Sequence, residues 1–315
     1  MNSKRIILAG GSGFLGTALA RRFRARGNEV AVLTRSPRNR PDGAKEIFWD
    51  AKTSGNWMKI LDGADAVINL TGRSVNCRYN ARNRREILDS RVDSTRILGE
   101  AISRSGNPPR VWLNASTATI YKHSLDKPMD ETSGVIGAAR EAKDEFSVEV
   151  ACAWEKAFNE AQVPATRKVT LRMTMVLGEA KNSVFPVMRR LVKCGLGGKM
   201  GSGRQLVSWI HEEDFCRAIE WILDHDDFSG VVNLAAPNPV TNREMMKIFR
   251  RVFGAPFGLP ATSWMLEIGA FLLRTETELM IKSRNVVPKR LLDGGFEFRF
   301  PKMEDAVREI ESRAK

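Results

Sequence analysis

Gly10, Gly13 and Gly16 stand three residues apart in "RIILAGGSGFLGTALARR", with Gly11, Ser12, Phe14 and Leu15 between them. Glycines at this spacing let a backbone turn sharply, come close to a pyrophosphate and aim a helix N-terminus at its charge. A dinucleotide is the expected ligand. Further on, a strand end that served an NAD site would carry Asp or Glu to accept hydrogen bonds from the ribose hydroxyls. The sequence there reads "LTRSPRNR", placing Thr34 and Arg35 at that point with no acid before Asp42. A guanidinium suits a phosphate through charge-assisted, often bidentate bonds, so NADP(H) is expected. The bland alternative for Arg35 is a solvated basic surface, to which "RRFRAR" also contributes.

Proton-transfer groups are harder to find. The chain has two tyrosines, Tyr79 and Tyr121, and four residues after them stand Asn83 and Leu125, so no lysine is spaced to tune a phenol. His123, His211 and His225 show no ligand spacing with cysteines or carboxylates, and no metal is expected. The four cysteines (Cys77, Cys152, Cys194 and Cys216) are too scattered for a disulfide framework and read as reduced thiols of a cytoplasmic protein. An N-terminal signal peptide is a competing reading of the opening stretch, but Gly10 to Gly13 interrupt its apolar run. No segment approaches the roughly 18 uncharged residues of a membrane helix. The net charge of +13 favours anionic partners in general. Nucleic acid is not the favoured one, because "RRFRAR" holds a single aromatic, Phe23, on its presumed core side. The expected partner is a small-molecule substrate, and oligomeric state is not legible.

These groups need a scaffold, and the first half supplies a strand–helix alternation. Short apolar runs in "RIILAG", "EVAVLTR", "EIFWD", "ADAVINLTG", "RVWLNASTATIY" and "VTLRMTMVLG" read as strands. "GFLGTALARRFRARGN", "NRREILDSRVDSTRILGEAISRSG" and "EFSVEVACAWEKAFNEAQ" read as helices, the first stopping at Gly27. The fold class is therefore α/β, a doubly wound parallel Rossmann sheet with ligands at the carboxyl ends of its strands. Residues 1–178 are expected to form the nucleotide-binding domain, with a later strand near 230–236 returning to the sheet. Residues 179–315 are expected to form mainly a smaller, mostly helical substrate or lid domain.

The motifs "GGSGFLG", "LTRSP", "VINLTGRSV", "ILDSRVDST", "NASTATIY", "LRMTMVLG", "GSGRQLVSWIHEEDF", "VNLAAPNPVTNREM" and "VVPKRLLDGGFEFRFP" run in order along the chain. With them the chain resembles the extended short-chain dehydrogenase/reductase superfamily. Within it, the chain is similar to the atypical "epimerase family" with a C-terminal domain of unknown function, sometimes labelled nucleoside-diphosphate-sugar epimerase or cell-division inhibitor. The resemblance implies NADP(H) held by Gly10, Gly13 and Gly16, with Arg35 at the 2′-phosphate. It places Trp49 and Asp50 near the adenine, and Asn69, Leu70, Thr71 and Gly72 against the cofactor ribose. Ser90 and Arg91 are implied to pack near the cofactor. Arg172 matches an R-x-G-x-V-L-G strand end in which Thr174 replaces the central glycine.

The superfamily's usual Tyr-x-x-x-Lys is missing. In "VEVACAWEKAF" one register puts Val150 and Trp154 at its two positions, and another puts Cys152 and Lys156 there; the resemblance favours the first. It also implies Ser116 and Thr117 as the residues orienting a substrate oxygen, and Tyr121 as the surviving acid. Arg73, Ser208, Trp209 and His211 are candidates to line the substrate cleft. Two readings follow. One is an NADP(H)-dependent oxidoreductase or epimerase-like enzyme on an unknown hydroxyl or carbonyl compound, sugar nucleotides included. The other is a non-catalytic NADP(H)-binding sensor or regulatory protein. A third, a salt-sensitive binder of nucleic acid or membrane surface, uses only the positive charge.

Overall fold

The computed structural model describes residues 3–262, 264–267 and 276–314. Strands β1 (Arg5–Ala9), β2 (Glu29–Thr34), β4 (Ala66–Asn69) and β5 (Val111–Thr117) are buried along almost their whole length. Unbroken apolar strands of this kind need cover on both faces, which parallel sheets obtain from crossover helices. With β3 (Lys45–Phe48), β6 (Arg167–Met173) and β10 (Gly230–Leu234) they form a seven-stranded sheet in the order β10-β6-β5-β4-β1-β2-β3. Every pair in it is parallel. Strand order reverses between β1 and β4, so a crevice opens above their carboxyl ends.

Helix α1 (Phe14–Ala25) buries Gly16, Leu19, Ala20 and Phe23 against the sheet and ends at Arg26, before Gly27 at φ 80°. On the opposite face α2 (Ala81–Ser103) and α3 (Glu145–Glu160) pack together over β4 and β5. Asn80 caps α2, its side chain accepting from Asn83 N at 2.9 Å.

The stretch expected as one strand through Gly178 is divided. β6 ends at Met173, Thr174 turns to give both its N–H and its hydroxyl to Leu234 O, and β7 (Met175–Leu177) pairs instead with β9 (Trp209–His211). Thr174 has a side-chain hydroxyl to make this second bond, which a glycine would lack.

Beyond residue 178 the chain re-enters the sheet layer. α5 (Glu212–Asp224) covers the face beside α1, and β10 adds a strand next to β6. The rest builds a second core around Phe185, Phe249 and Phe253, whose rings meet edge to face at 5.6 Å between Phe185 and Phe253. It joins α4 (Val184–Leu191), α6 (Asn242–Phe253) and the closing helix Met303–Arg313. Among the described residues no helix is long and apolar enough to cross a membrane.

Candidate functional site

The turn from β1 to α1 is shaped by close backbone approach. Gly10 has φ 73°, and a Cβ there would lie 2.9 Å from the Thr71 backbone. At Gly16 a Cβ would sit 2.3 Å from Gly11 Cα, so only hydrogen lets α1 press onto the turn. α1 starts directly after Gly13. The N–H groups of Phe14, Leu15 and Gly16 in its first turn therefore have no intrahelical acceptor and point at the crevice.

A hollow of about 660 Å³ beside this turn is walled by Ser12, Thr34, Arg35 and Ser36. Arg40 in the same wall is held by Asp42 at 2.6 Å and Glu46 at 3.2 Å, whereas Arg35 makes no ion pair among the described residues. Arg35 also borders a second hollow, of about 650 Å³, with Asp50, Gly72, Arg73 and Ser90. Trp49 departs from expectation. Its indole is buried 5.4 Å from Trp57 in the core under the sheet, because the residue at this register points away from the crevice. Asp50, the next residue, borders the hollow while accepting from Lys52 N, Thr53 N and Thr53 Oγ1; the Thr53 bonds lower its pKa.

Asn69 is buried and fully engaged, giving Nδ2 to Asn114 Oδ1 at 2.7 Å and accepting from Thr71 N at 3.0 Å. It braces the strand end from below and offers no side-chain atom to the crevice. Leu70 and Gly72 do border the cleft, and Thr71 Oγ1 is buried beside Gly10 with no partner among the described residues. Ser90 Oγ accepts from Arg73 N at 3.0 Å. Arg73 itself, expected to receive substrate, is paired with Glu86 and gives Nη2 to Asn83 at 2.8 Å. Its charge is neutralised within α2.

Between α2 and α3 lies a cleft of about 260 Å³. Val150 and Trp154 line it, while Cys152 and Lys156 are exposed on the other side of α3. Trp154 gives Nε1 to Thr95 Oγ1 at 3.0 Å, and the Arg91 guanidinium lies over its ring at 5.1 Å. Ser116 and Thr117 share this cleft. Ser116 Oγ donates to Glu155 Oε1 at 2.6 Å, which commits its one proton. Thr117 Oγ1 accepts from Thr119 N at 3.1 Å and keeps its hydroxyl proton for a ligand.

Arg172 is removed from the cofactor side by a buried bidentate pair with Glu155, at 2.8 and 2.7 Å. It lies 4.8 Å over the ring of Tyr121. Tyr121 also differs from its expected role. It is 2% exposed and gives its hydroxyl to Asn233 Oδ1 at 3.0 Å, outside the cleft. Burial raises its pKa, against the opposing pull of Arg172 and of the bond to Asn233.

The cleft holds a phenol nonetheless. Tyr79, just before α2, lines it with a buried Oη that makes no well-aligned hydrogen bond among the described residues, although the Ser147 hydroxyl beside it interacts with it and lowers its pKa. Burial, then the charge of Glu278, push its pKa up to about 12. Ser147 Oγ bonds Glu278 Oε1 at 2.5 Å in the same wall. The spacing of Tyr79, Ser147 and Glu278 in the sequence carries no motif, since three separate segments bring them together.

Ser208, Trp209 and His211 do not reach this cleft. Ser208 Oγ lies 2.6 Å from Arg284 O and 3.0 Å from Val286 O and accepts from Val286 N at 2.7 Å; Trp209 gives Nε1 to Asn238 O at 3.1 Å. His211 accepts from Glu213 N at 3.0 Å as the cap of α5, bonds Glu309 at 2.9 Å and rests on Phe300. All three lie in β9 or immediately before it, inside the seam between the sheet and the C-terminal core.

Residues 6–235 match the NAD dependent epimerase/dehydratase family. The chain belongs to that family. Residues 261–310 match a domain of unknown function, DUF1731. Among relatives of this epimerase family, the epimerase family protein SDR39U1 of Bos taurus is 31% identical over 97% of this chain and 99% of its own length. The epimerase family protein YfhF of Bacillus subtilis is 30% identical over 97% of each. The crystal structure of human SDR39U1 with NADPH superposes with a TM-score of 0.85 at 30% identity, covering 98% of this chain and 99% of that one.

Proposed function

We propose that this chain binds NADP(H) across the carboxyl edge of the sheet and uses it in oxidoreduction of a hydroxyl or carbonyl compound held between α2 and α3. Arg35 is the observation that carries the reading. It stands at the end of β2, next to the glycine turn, and makes no ion pair among the described residues while Arg40 nearby is paired. A guanidinium so placed matches the planar, bidentate recognition of a 2′-phosphate. The glycine turn fits a diphosphate, since Gly10 and Gly16, where a Cβ would strike the Thr71 and Gly11 backbones, let the turn close tightly, and the space beside Gly13 at the start of α1 holds no nearer atom than Gly10 O at 3.8 Å. Gly10 to Gly16 would hold that diphosphate, Asp50 and Gly72 would border the adenosine half, and Thr117 would orient a substrate oxygen. When bound, the reduced nicotinamide supplies a hydride. The NADPH in the human relative's structure supports the same choice of cofactor.

Fluorescence titration tests this. NADPH should bind at least about tenfold tighter than NADH, the equivalent of losing one charge-assisted contact, and Arg35→Asp should erase or reverse the preference. An unchanged preference removes the 2′-phosphate assignment, and absence of binding to either nucleotide removes the whole reading. A second reading, an NADP(H)-binding regulator without turnover, is favoured by the lack of any Tyr-x-x-x-Lys in the sequence, Asn83 and Leu125 standing four residues after the two tyrosines. It expects NADPH binding with no oxidation by any carbonyl.

A further inference from the structure

We propose that Tyr79, with Arg91 beside it, is the proton donor of the α2–α3 cleft, and that the substrate is a small, largely apolar aldehyde or ketone. This rests on the NADP(H) reading above and names the acid and the substrate class for that site. Of the two phenols in the chain, Tyr121 has its hydroxyl bonded to Asn233 outside the cleft. Tyr79 lines the cleft, held edge-on against Phe146 at 5.0 Å, and its buried Oη makes no well-aligned hydrogen bond among the described residues, with the Ser147 hydroxyl, itself given to Glu278, interacting with it. A buried hydroxyl left unbonded is costly, and a carbonyl oxygen in the cleft would relieve that cost.

Arg91 supplies the cation. Its guanidinium covers Trp154, and its Nη1 donates to the carbonyls of Arg73 and Ile87. No carboxylate pairs with it among the described residues. Burial lowers its pKa to about 10, so it remains charged at neutral pH. It also interacts electrostatically with Tyr79.

The reaction balances as a reduction. As the carbonyl carbon accepts a hydride, the C=O π pair moves onto oxygen, and that oxygen takes the Tyr79 proton to give an alcohol. Arg91 steadies the tyrosinate until water reprotonates it after product leaves. Burial raises the phenol to about 12, so it carries its proton at neutral pH and can give it to the developing alkoxide.

Cleft size and lining argue for the substrate class. About 260 Å³ lies below the usual range of roughly 300–1,000 Å³ for drug-sized ligands. Leu70, Val75, Ile87, Phe146, Val150 and Met173 make much of the wall. A whole sugar nucleotide does not suit that space.

The test uses the full chain with two probes. Benzamide, whose carbonyl is not reducible here, is titrated calorimetrically into the NADP⁺-loaded protein, and NADPH oxidation is followed with 4-nitrobenzaldehyde. Tyr79→Phe keeps the ring against Phe146, so NADPH affinity should stay within about twofold. Benzamide should bind about tenfold more weakly, the loss of one hydrogen bond, and turnover should fall by about a hundredfold or more. Arg91→Leu should lower turnover in the same direction. If Tyr79→Phe matches wild type with both probes, or if the loaded wild type ignores benzamide, the proposal is wrong and the cofactor reading stands. Failure of the wild type to bind NADPH defeats the cofactor reading itself.

Discussion

Trp154 Nε1 donates to Thr95 Oγ1 at 3.0 Å, and that bond fixes the indole in the wall of the cleft between α2 and α3. Thr95 is itself buried on α2 and also meets Asn69 Nδ2, at 3.3 Å. One hydroxyl therefore connects α2, α3 and the end of β4 beneath the cleft. The helices that carry Arg91 and Trp154 are positioned by this polar contact as well as by apolar packing.

Removing it should be expensive. Thr95→Val keeps the shape and leaves two buried N–H donors without this acceptor, at about 1–3 kcal/mol for an unsatisfied group. Trp154→Phe removes one of those donors, so the double variant should lose less than the sum of the two single ones. Urea unfolding of the four proteins checks this. Strict additivity would show that the bond does not couple the helices.

Glu155 holds a second junction. It takes both prongs of Arg172 and the hydroxyl of Ser116, all of them buried. Glu155→Gln preserves the side-chain volume but leaves Arg172 as an uncompensated buried charge. The expected loss is about 3–5 kcal/mol of unfolding free energy, the cost typical of breaking a buried pair from one side. A loss under about 1 kcal/mol would mean that water reaches Arg172.

The sheet, its helices and the phosphate turn were legible because they depend on local periodicity and on glycines that admit no Cβ. The place of Thr34 and Arg35 at the end of β2 was legible for the same reason, since that rhythm fixes the strand end. Trp49 was misplaced because one residue of register decides which face a side chain takes, and the adjacent aromatics Phe48 and Trp49 do not reveal by type which of them is buried. Ser208, Trp209 and His211 read as cleft residues only through the family resemblance; in the fold they instead seal the seam with the C-terminal core. Tyr79 and Glu278 could not be paired in advance. Their meeting depends on how residues 276–286 return to α3, through contacts such as the buried Lys282–Asp144 pair, and nothing local encodes it.

His211 gives the fold a pH dependence whose sign follows from its bonds. Its Nδ1 accepts the Glu213 N–H at 3.0 Å, so that nitrogen carries no proton, and Nε2 gives its own to Glu309. Burial lowers the pKa below the ordinary 6.5, against the opposing pull of Glu309. Arg313 disfavours the charged form and Glu212 favours it, both more weakly. In the window between the two values the unfolded chain binds a proton that the folded chain refuses, so stability rises with pH there. The contribution is complete above pH 6.5 and is lost as pH falls through the depressed folded value. His211→Asn retains an N-cap acceptor while removing the titration. Wild type should therefore lose unfolding free energy more steeply than the variant between pH 7 and pH 5, by about 1.4 kcal/mol for each unit of depression. Parallel curves for the two proteins in denaturant titrations across that window would mean that the folded and unfolded chains take up this proton alike, so that burial does not depress the His211 pKa.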